Sequence, residues 1–582
     1  MANKFQTERQ MCRNTYLKDG DYQNIRQLLE RVAKMTPENL ILAELDEKKE
    51  IVYTNAKQMY DTVMNVGDGL MAAGLKGKHI AILAENSVRY LLAELAVSSG
   101  AGVATPVDMG APVELLSTLL NKCDAEAIFC DVANLAKIRE AQKNCPRLKT
   151  IITLYKRAEG CLFFEDLKAE GAKLNAEGRG IYRTMPIDLD SPAKMLFTSG
   201  TTGANKCVVL THANLAANII NCMDTIKAES GEINTSMSIL PMHHATEINT
   251  HIMTRVAGGR LTYINGNMRN MMPNMKIFKP RIVTIVPMIA NAFYKNVWAN
   301  AEKMGKADKL RKGIKISNLL RKVGIDKTHD MFKDIHAVFG GNLTQIVCGG
   351  SMLNPVVVKG LNDLGIRMEN GYGITECGPL VSMNADTLDE HLSVGRPCPG
   401  LQVRIANPDE NGIGELCVKG ASVFKEYYKD PEATRAVKDE EGWFNTGDSA
   451  YIDSKGRIMM MGRKKNTIVL SSGKNICPEE VENVIETNMA YANDIVMYQA
   501  ELEKNGSGKQ LLCAGLFIED EALRNDRDRI AADIAKVNSL LPEYKRIDYV
   551  ELPDTPYERT STRKIKRANL PSKCSGNGIE IL

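Results

Sequence analysis

The sequence predicts an α/β protein with a large N-terminal part on mixed and mostly parallel sheets, followed by a smaller α/β part. Three observations carry that reading. Stretches with apolar residues at helical spacing come first, continuous apolar runs of strand length alternate with them, and the chain changes character near residue 460. The first helix is expected over 55–71, where Met59, Tyr60, Val63, Met64 and Leu70 recur on one face. "HIAILAE" (79–85) then reads as a strand buried on both sides. Asn86 or Ser87 can cap the helix after it, and "GVATPV" (102–107) gives the next strand. Strand, helix, strand in this order implies parallel pairing. In "SKGRIMMMGRKKNTIVLSSGKNICPEEVENVI" (454–485) a charged turn gives way to Pro478 and two glutamates, the signature of a helix's first turn. The expected domains are 1–464 and 465–582.

Composition narrows the function. The chain has 582 residues, 44% apolar and 25% charged, an ordinary globular balance. A net charge of +3 gives no argument for a nucleic-acid partner. The opening "MANKFQTERQMCRNTYLKDGD" has no apolar core of a secretory signal, so a cytoplasmic location is expected. No apolar run approaches the ~20 residues that span a bilayer. The 14 cysteines are scattered without a C-x-x-C, which argues against a zinc site or a disulfide framework and for buried reduced thiols. One segment stands apart: residues 303–327 hold nine Lys/Arg against two Asp. With Ile316, Leu319, Leu320 and Val323 as an apolar side, it reads either as a solvated helix face or as a peripheral contact with a membrane surface or a phosphorylated ligand.

"FTSGTTGANKCVVLTHANL" (197–215) gathers hydroxyls and glycines around one lysine, Lys206, and so points to phosphate. It is not the loop of nucleotide hydrolases, G-x-x-x-x-G-K-[ST]. Counted from Gly200 the second glycine falls on Asn205, and Cys207 follows the lysine. The flanks Met195-Leu196-Phe197 and Val208-Val209-Leu210 are strand-like, so the loop reads as a hairpin tip, with a helix beginning near Thr211 as its cap.

Four further stretches follow in order: "NGYGITE" (370–376), "TGD" (446–448), "GRKK" (462–465) and "RTSTRKIKR" (559–567). Taken with the first loop, they make the chain resemble the adenylate-forming superfamily, which comprises acyl- and aryl-CoA synthetases, luciferases and the adenylation domains of peptide synthetases. Through "LPMHH" (240–244) and the stretch after Gly462 it is most similar to bacterial long-chain fatty acid–CoA ligases. The resemblance implies ATP, Mg2+ and CoA as cofactors and a mobile C-terminal domain. It implies that Thr198, Ser199, Gly200, Thr201, Thr202, Gly203 and Lys206 hold the β- and γ-phosphates. Tyr372, between Gly371 and Gly373, stacks on adenine, and Thr375 bonds the α-phosphate. Glu376, with Thr198, serves the metal, a hard ion that favours oxygen. Asp448 takes the ribose hydroxyls beside Arg463. Lys564 bridges the attacking carboxylate and the α-phosphate, and Lys465 is the hinge. Gly473 lines the channel for the thiol, and His244 stands at the mouth of the acyl pocket.

Departures from the family pattern are Asn205 for a proline, Cys207 for a glycine whose φ > 0 freedom is lost, Asn466 for an acid and Arg563 for a glycine. The stretch "HHATEINTH" (243–251) is unusually polar. If Glu247, Asn249 and His251 face the acyl pocket, a plain long-chain tail does not suit it. The expected function is an AMP-forming acid–thiol ligase acting on a fatty or other acyl carboxylate. Its alternatives are loading of an acyl carrier protein and a catalytically silent nucleotide-binding homologue. Amino-acid activation is disfavoured, because "PMHHATE" has no aspartate to pair a substrate ammonium.

Overall fold

The computed structural model describes residues 22–198, 205–225, 235–384, 393–470, 474–489, 491–504, 507–559 and 565–581. A helix not read from the sequence, Ile25–Met35, comes first, and the helix expected over 55–71 is Ala56–Ala72, directly after its cap. The Asn55 side chain accepts from the Gln58 amide while Gln58 reaches back to the Asn55 amide, so two orphan donors are satisfied at once. Met59, Val63, Met64 and Leu70 are fully buried on its inner face. The strand Lys78–Leu83 runs parallel to both Gly102–Pro106 and Ala127–Cys130, which explains its unbroken apolar run. Of the two candidate caps Ser87 is used: its hydroxyl accepts from the Tyr90 amide at 3.1 Å. Asn86 is occupied elsewhere, donating to the Leu240 carbonyl and accepting from the Met242 amide.

Two large sheets make the main body. One has eight strands in the order Glu426–Tyr427, Lys206–Thr211, Pro192–Thr198, Gly102–Pro106, Lys78–Leu83, Ala127–Cys130, Thr150–Thr153, Leu162–Phe163. Its strands are parallel except at the first two junctions, which are antiparallel. The other has nine strands and carries Ile282–Ile285, Gln345–Gly349 and Arg367–Gly373 side by side in parallel. A four-stranded antiparallel sheet, Leu401–Ala406 to Ile458–Arg463, follows.

The helix Pro478–Asn488 begins with proline in its first turn and Glu479 and Glu480 beside it, as its sequence implies. It packs with the long hairpin Asp494–Lys504 and Ser507–Phe517 around a core running from Ile468 to Ile579. That core shares no residue with the apolar clusters of the preceding chain. The described cysteines are free thiols, mostly buried. No described helix is long and apolar enough to cross a membrane.

Candidate functional site

The hairpin read from the sequence is present: Pro192–Thr198 pairs antiparallel with Lys206–Thr211, and Thr198 lies opposite Lys206 at the tip. Ser199, Gly200, Thr201, Thr202 and Gly203 lie outside the described residues, as do Gly473 and Lys564. Thr211 caps the following helix, His212–Thr225, through a reciprocal pair: its hydroxyl accepts from the Asn214 amide at 3.1 Å and its amide donates to the Asn214 side chain at 3.0 Å. Cys207 sits in the strand, 1% exposed, with its carbonyl accepting from Tyr428. Extended backbone needs no positive φ there, so the expected loss of glycine freedom has no consequence.

Thr198 and Lys206 open onto a cleft of about 3100 Å³ whose walls come from both sheets and from the C-terminal part. Gly371, Tyr372, Gly373, Thr375, Glu376, Asp448, Arg463, Lys465 and His244 line the same cleft. Residues far apart in sequence thus converge on one space. The strand Arg367–Gly373 carries Tyr372 to its end, and a tight turn, Thr375–Cys377, presents Thr375 and Glu376. The "TGD" stretch is part of a sheet. It lies inside the strand Phe444–Ile452, where Gly447 at φ +72° makes the local bend that a side chain would resist.

Asp448 is 4% exposed and pairs across the sheet with Arg463. Arg463 Nε donates to Asp448 Oδ1 at 2.8 Å, and the Tyr372 hydroxyl donates to Oδ2 at 2.6 Å. Burial, and then the adjacent carboxylate, push the Tyr372 phenol well up. Gly462, the last but one residue of the strand Ile458–Arg463, has φ +120°, and a Cβ there would meet Cys477 Sγ at 2.4 Å. The short turn Lys464–Asn466 comes next. There Lys464 pairs with Glu415 at 2.8 Å and Asn466 donates to Glu479 at 2.7 Å. The Lys465 ammonium is held below its usual range by burial and by Arg463 and Arg567. Arg567 Nη2, from the C-terminal basic stretch, donates to both Glu482 carboxylate oxygens at 2.7 Å.

Glu376 is 6% exposed, and burial raises its carboxyl pKa. Its Oε1 accepts from the Tyr427 hydroxyl at 2.8 Å. Its Oε2 is buried with no hydrogen-bond partner among the described residues. Lys206 Nζ stands 4.5 Å from the Tyr427 ring centroid. Tyr427 therefore links the hairpin that carries Lys206 to Glu376, a role that no motif in "KEYYKDP" (425–431) signals. Among the described residues no three metal-binding side chains converge. A lone buried carboxylate oxygen facing a phosphate hairpin fits Mg2+, which is bound through one or two carboxylates plus substrate phosphates.

His244 lines the cleft with its ring 4.2 Å from that of His243. Of the polar residues after it, His251 also lines the cleft. Glu247 and Asn249 tie the helix to its framework instead. Glu247 accepts from the Ile239 amide at 3.1 Å; Asn249 accepts from Lys194 at 2.9 Å and donates to the Gly378 carbonyl at 3.2 Å. No residue of 303–327 lines the cleft, so that segment does not face a ligand bound there. It forms the helix Ala307–Lys322, with Leu310 and Ser317 buried and Ile316, Leu319 and Val323 exposed.

Fold and cleft together define an α/β protein whose phosphate-type hairpin faces a buried carboxylate and a Tyr–Asp–Arg cluster. The AMP-binding enzyme family matches residues 29–428, and the chain belongs to that family. Long-chain-fatty-acid–CoA ligase 5 of Rattus norvegicus is 29% identical over 462 residues, 74% of this chain and 66% of the relative. The chloroplastic long-chain-fatty-acid–acyl-carrier-protein ligase AEE15 of Arabidopsis thaliana is 27% identical over 516 residues, 76% of this chain and 70% of the relative. The chain thus spans just under two thirds of the length of the first of these curated relatives. The crystal structure of the anthranilate CoA ligase AuaEII in complex with anthranoyl-AMP superposes with a TM-score of 0.74 at 17% identity, over 95% of this chain and 98% of that one. That likeness shows the same two-part α/β fold.

Proposed function

We propose that the protein is an AMP-forming acid–thiol ligase. A carboxylate oxygen attacks the α-phosphorus of ATP, the bond to pyrophosphate breaks, and the resulting acyl-AMP gives its acyl group to the sulfur of CoA, releasing AMP. The convergence of Thr198, Lys206, Tyr372, Thr375, Glu376, Asp448, Arg463 and Lys465 on one cleft carries this reading. In it, the hairpin holds the leaving phosphates, Tyr372 flanks the adenine, Thr375 bonds the α-phosphate, and Asp448 with Arg463 orients the ribose. Glu376 and Thr198 hold Mg2+, which when bound neutralises phosphate charge. Lys564 stabilises the meeting of two anions. His244 shapes the entrance for the acid.

Residues 465–582 act as a mobile domain that turns about Lys465, so that Lys564 serves the first half-reaction and Gly473 lines the thiol channel in the second. The separate core after Ile468 supports this division. CoA is the acceptor in the leading reading, supported by the rat relative; the Arabidopsis relative supports an acyl carrier protein as the second candidate. A cytoplasmic location fits the free thiols. The exposed apolar stripe of Ile316, Leu319 and Val323 among lysines fits a peripheral contact with an anionic membrane.

The test is ATP–pyrophosphate exchange over a panel of acids, followed by thioester formation with CoA and with carrier protein. Exchange that depends on an acid supports the reading. Nucleotide binding without exchange, for any acid, refutes it in favour of a silent homologue. Lys564→Ala should lower exchange by orders of magnitude and spare thioester formation from supplied acyl-AMP; equal loss in both steps would remove the assignment of Lys564.

A further inference from the structure

Three elements that line the cleft are joined behind it by one buried run of side chains. The strand Pro192–Thr198 leads to the hairpin and carries Lys194. The helix after His244 supplies Thr250 and His251 to the cleft wall and carries Asn249. The turn Thr375–Cys377 presents Thr375 and Glu376 and is closed by Gly378. Lys194 is 1% exposed and pairs with Glu94, equally buried, on the helix Val88–Ala96. Lys194 Nζ also donates to Asn249 Oδ1 at 2.9 Å, and Asn249 Nδ2 donates to the Gly378 carbonyl at 3.2 Å. Glu94, Lys194 and Asn249 do not themselves line the cleft.

The helix is irregular at this point. Over Thr246–Ile252 it widens: the Met253 amide, which a regular turn would give to the Asn249 carbonyl, bonds the Ile248 carbonyl five residues back. The Asn249 carbonyl accepts from Asn218 Nδ2 at 3.2 Å, and Asn218 Oδ1 accepts from the Leu380 amide at 3.3 Å. Asn249 thus holds the end of the turn through its side chain and, by way of Asn218, through its backbone. The side-chain link has a direction. An ammonium only donates, so Lys194 draws the amide oxygen of Asn249 to itself and leaves the NH2 for the Gly378 carbonyl. Turned over, the amide would set two carbonyl oxygens against each other. A buried ion pair is a weak source of stability, because desolvation offsets its attraction. What this one supplies is a fixed orientation.

We propose that Asn249, its amide oriented by the Glu94–Lys194 pair, is a positioning residue for acid activation: it sets the turn that brings Thr375 to the α-phosphate and Glu376 to Mg2+. This rests on the ligase reading above and adds to it residues that touch neither substrate nor metal. Misplacing reacting groups by about 1 Å costs about a hundredfold in rate.

The test is Asn249→Leu in the full chain, which removes both amide bonds at similar volume, read by pyrophosphate exchange and by ATP calorimetry with and without Mg2+. The kcat for exchange should fall, and the half-saturating Mg2+ concentration should rise, each by about tenfold or more. Mg2+ should strengthen calorimetric ATP binding less than in the wild type, while the KM for the acid stays unchanged. Lys194→Met combined with Glu94→Gln, which leaves Asn249 in place, should move the same quantities in the same direction. A folded Asn249→Leu with wild-type kcat and Mg2+ requirement overturns the inference and leaves the ligase reading intact, whatever its melting midpoint; Asn249 is then only structural. A loss carried by the KM for the acid alone also overturns it, making Asn249 a support of the acyl wall. An impaired Asn249→Leu beside an unaffected double variant overturns the part given to Lys194 and Glu94. If Asn249→Leu does not fold, the double variant decides on the same readouts. A wild-type chain that shows no exchange with any acid, while calorimetry detects ATP binding, overturns the ligase reading and the inference with it.

Discussion

Replacing Tyr427 by Phe removes a single oxygen from the site and tests whether Glu376 serves a cation. The ring on which Lys206 rests at 4.5 Å stays in place, and so does its packing. What is lost is the 2.8 Å bond to Glu376 Oε1, between residues 4% and 6% exposed. A hydrogen bond to a charged group contributes about 1.5–3 kcal/mol, which corresponds to about ten- to a hundredfold in a binding constant. Outer partners that orient a metal-binding carboxylate carry about the same factor. Tyr427→Phe should therefore raise the Mg2+ concentration that half-saturates pyrophosphate exchange by about ten- to a hundredfold. Calorimetric ATP binding should lose its Mg2+ dependence to a similar degree. Thermal unfolding monitors the structural share of the loss, about 1–3 kcal/mol for an acceptor left unsatisfied. A lowered melting midpoint together with an Mg2+ requirement unchanged within twofold would refute the reasoning. Tyr427 would then be only a structural partner, and Glu376 would not hold the cation.

Three other perturbations probe different parts of the molecule. Lys465→Pro fixes φ near −65° and restricts the residue before it; acyl-AMP should still form while thioester production falls at least tenfold, and normal thioester turnover would move the hinge elsewhere. His212 is 4% exposed, and burial, then Arg26, hold its imidazole down to about 4 from 6.5. Its contribution is therefore complete above the unfolded value and is lost as pH falls from there through the folded value, about 3 kcal/mol in all. His212→Asn should flatten the stability curve across that window; an unchanged slope refutes the assignment. Replacing Ile316 and Leu319 with Glu should abolish co-sedimentation with anionic vesicles and leave pyrophosphate exchange unchanged, whereas a wild-type chain that does not sediment leaves the segment a solvated helix face.

Local devices were legible in the sequence because their partners lie within a few residues. The helix over 55–71, the helix start at Pro478 and the hairpin that returns through Val208–Leu210 all belong to this class. Ser87 rather than Asn86 as cap was not legible, since the choice rests on Asn86 bridging to Leu240 and Met242, more than 150 residues on. Tyr427 escaped for the same reason: its tie to Glu376 spans 51 residues and depends on the short strand Glu426–Tyr427 joining the edge of the eight-stranded sheet. The "HHATEINTH" stretch was half legible. Its polarity showed in the sequence, but only the widened helix sorts Glu247 and Asn249 into the framework and His251 onto the cleft. The assignments of Ser199, Gly200, Thr201, Thr202, Gly203, Gly473 and Lys564 rest on the family resemblance.

The cleft is walled by pieces whose apolar cores share no residue, and side-chain bonds such as Asn291 to Glu486 at 2.7 Å and Asn354 to Thr487 span the seam between them. Contacts of this kind hold a geometry without the large apolar area that would make two bodies unfold as one. If the chain turns about Lys465 as proposed, competence is a property of docking more than of either fold. On that proposal each piece can be native while the protein is inert, and turnover follows how often the seam closes.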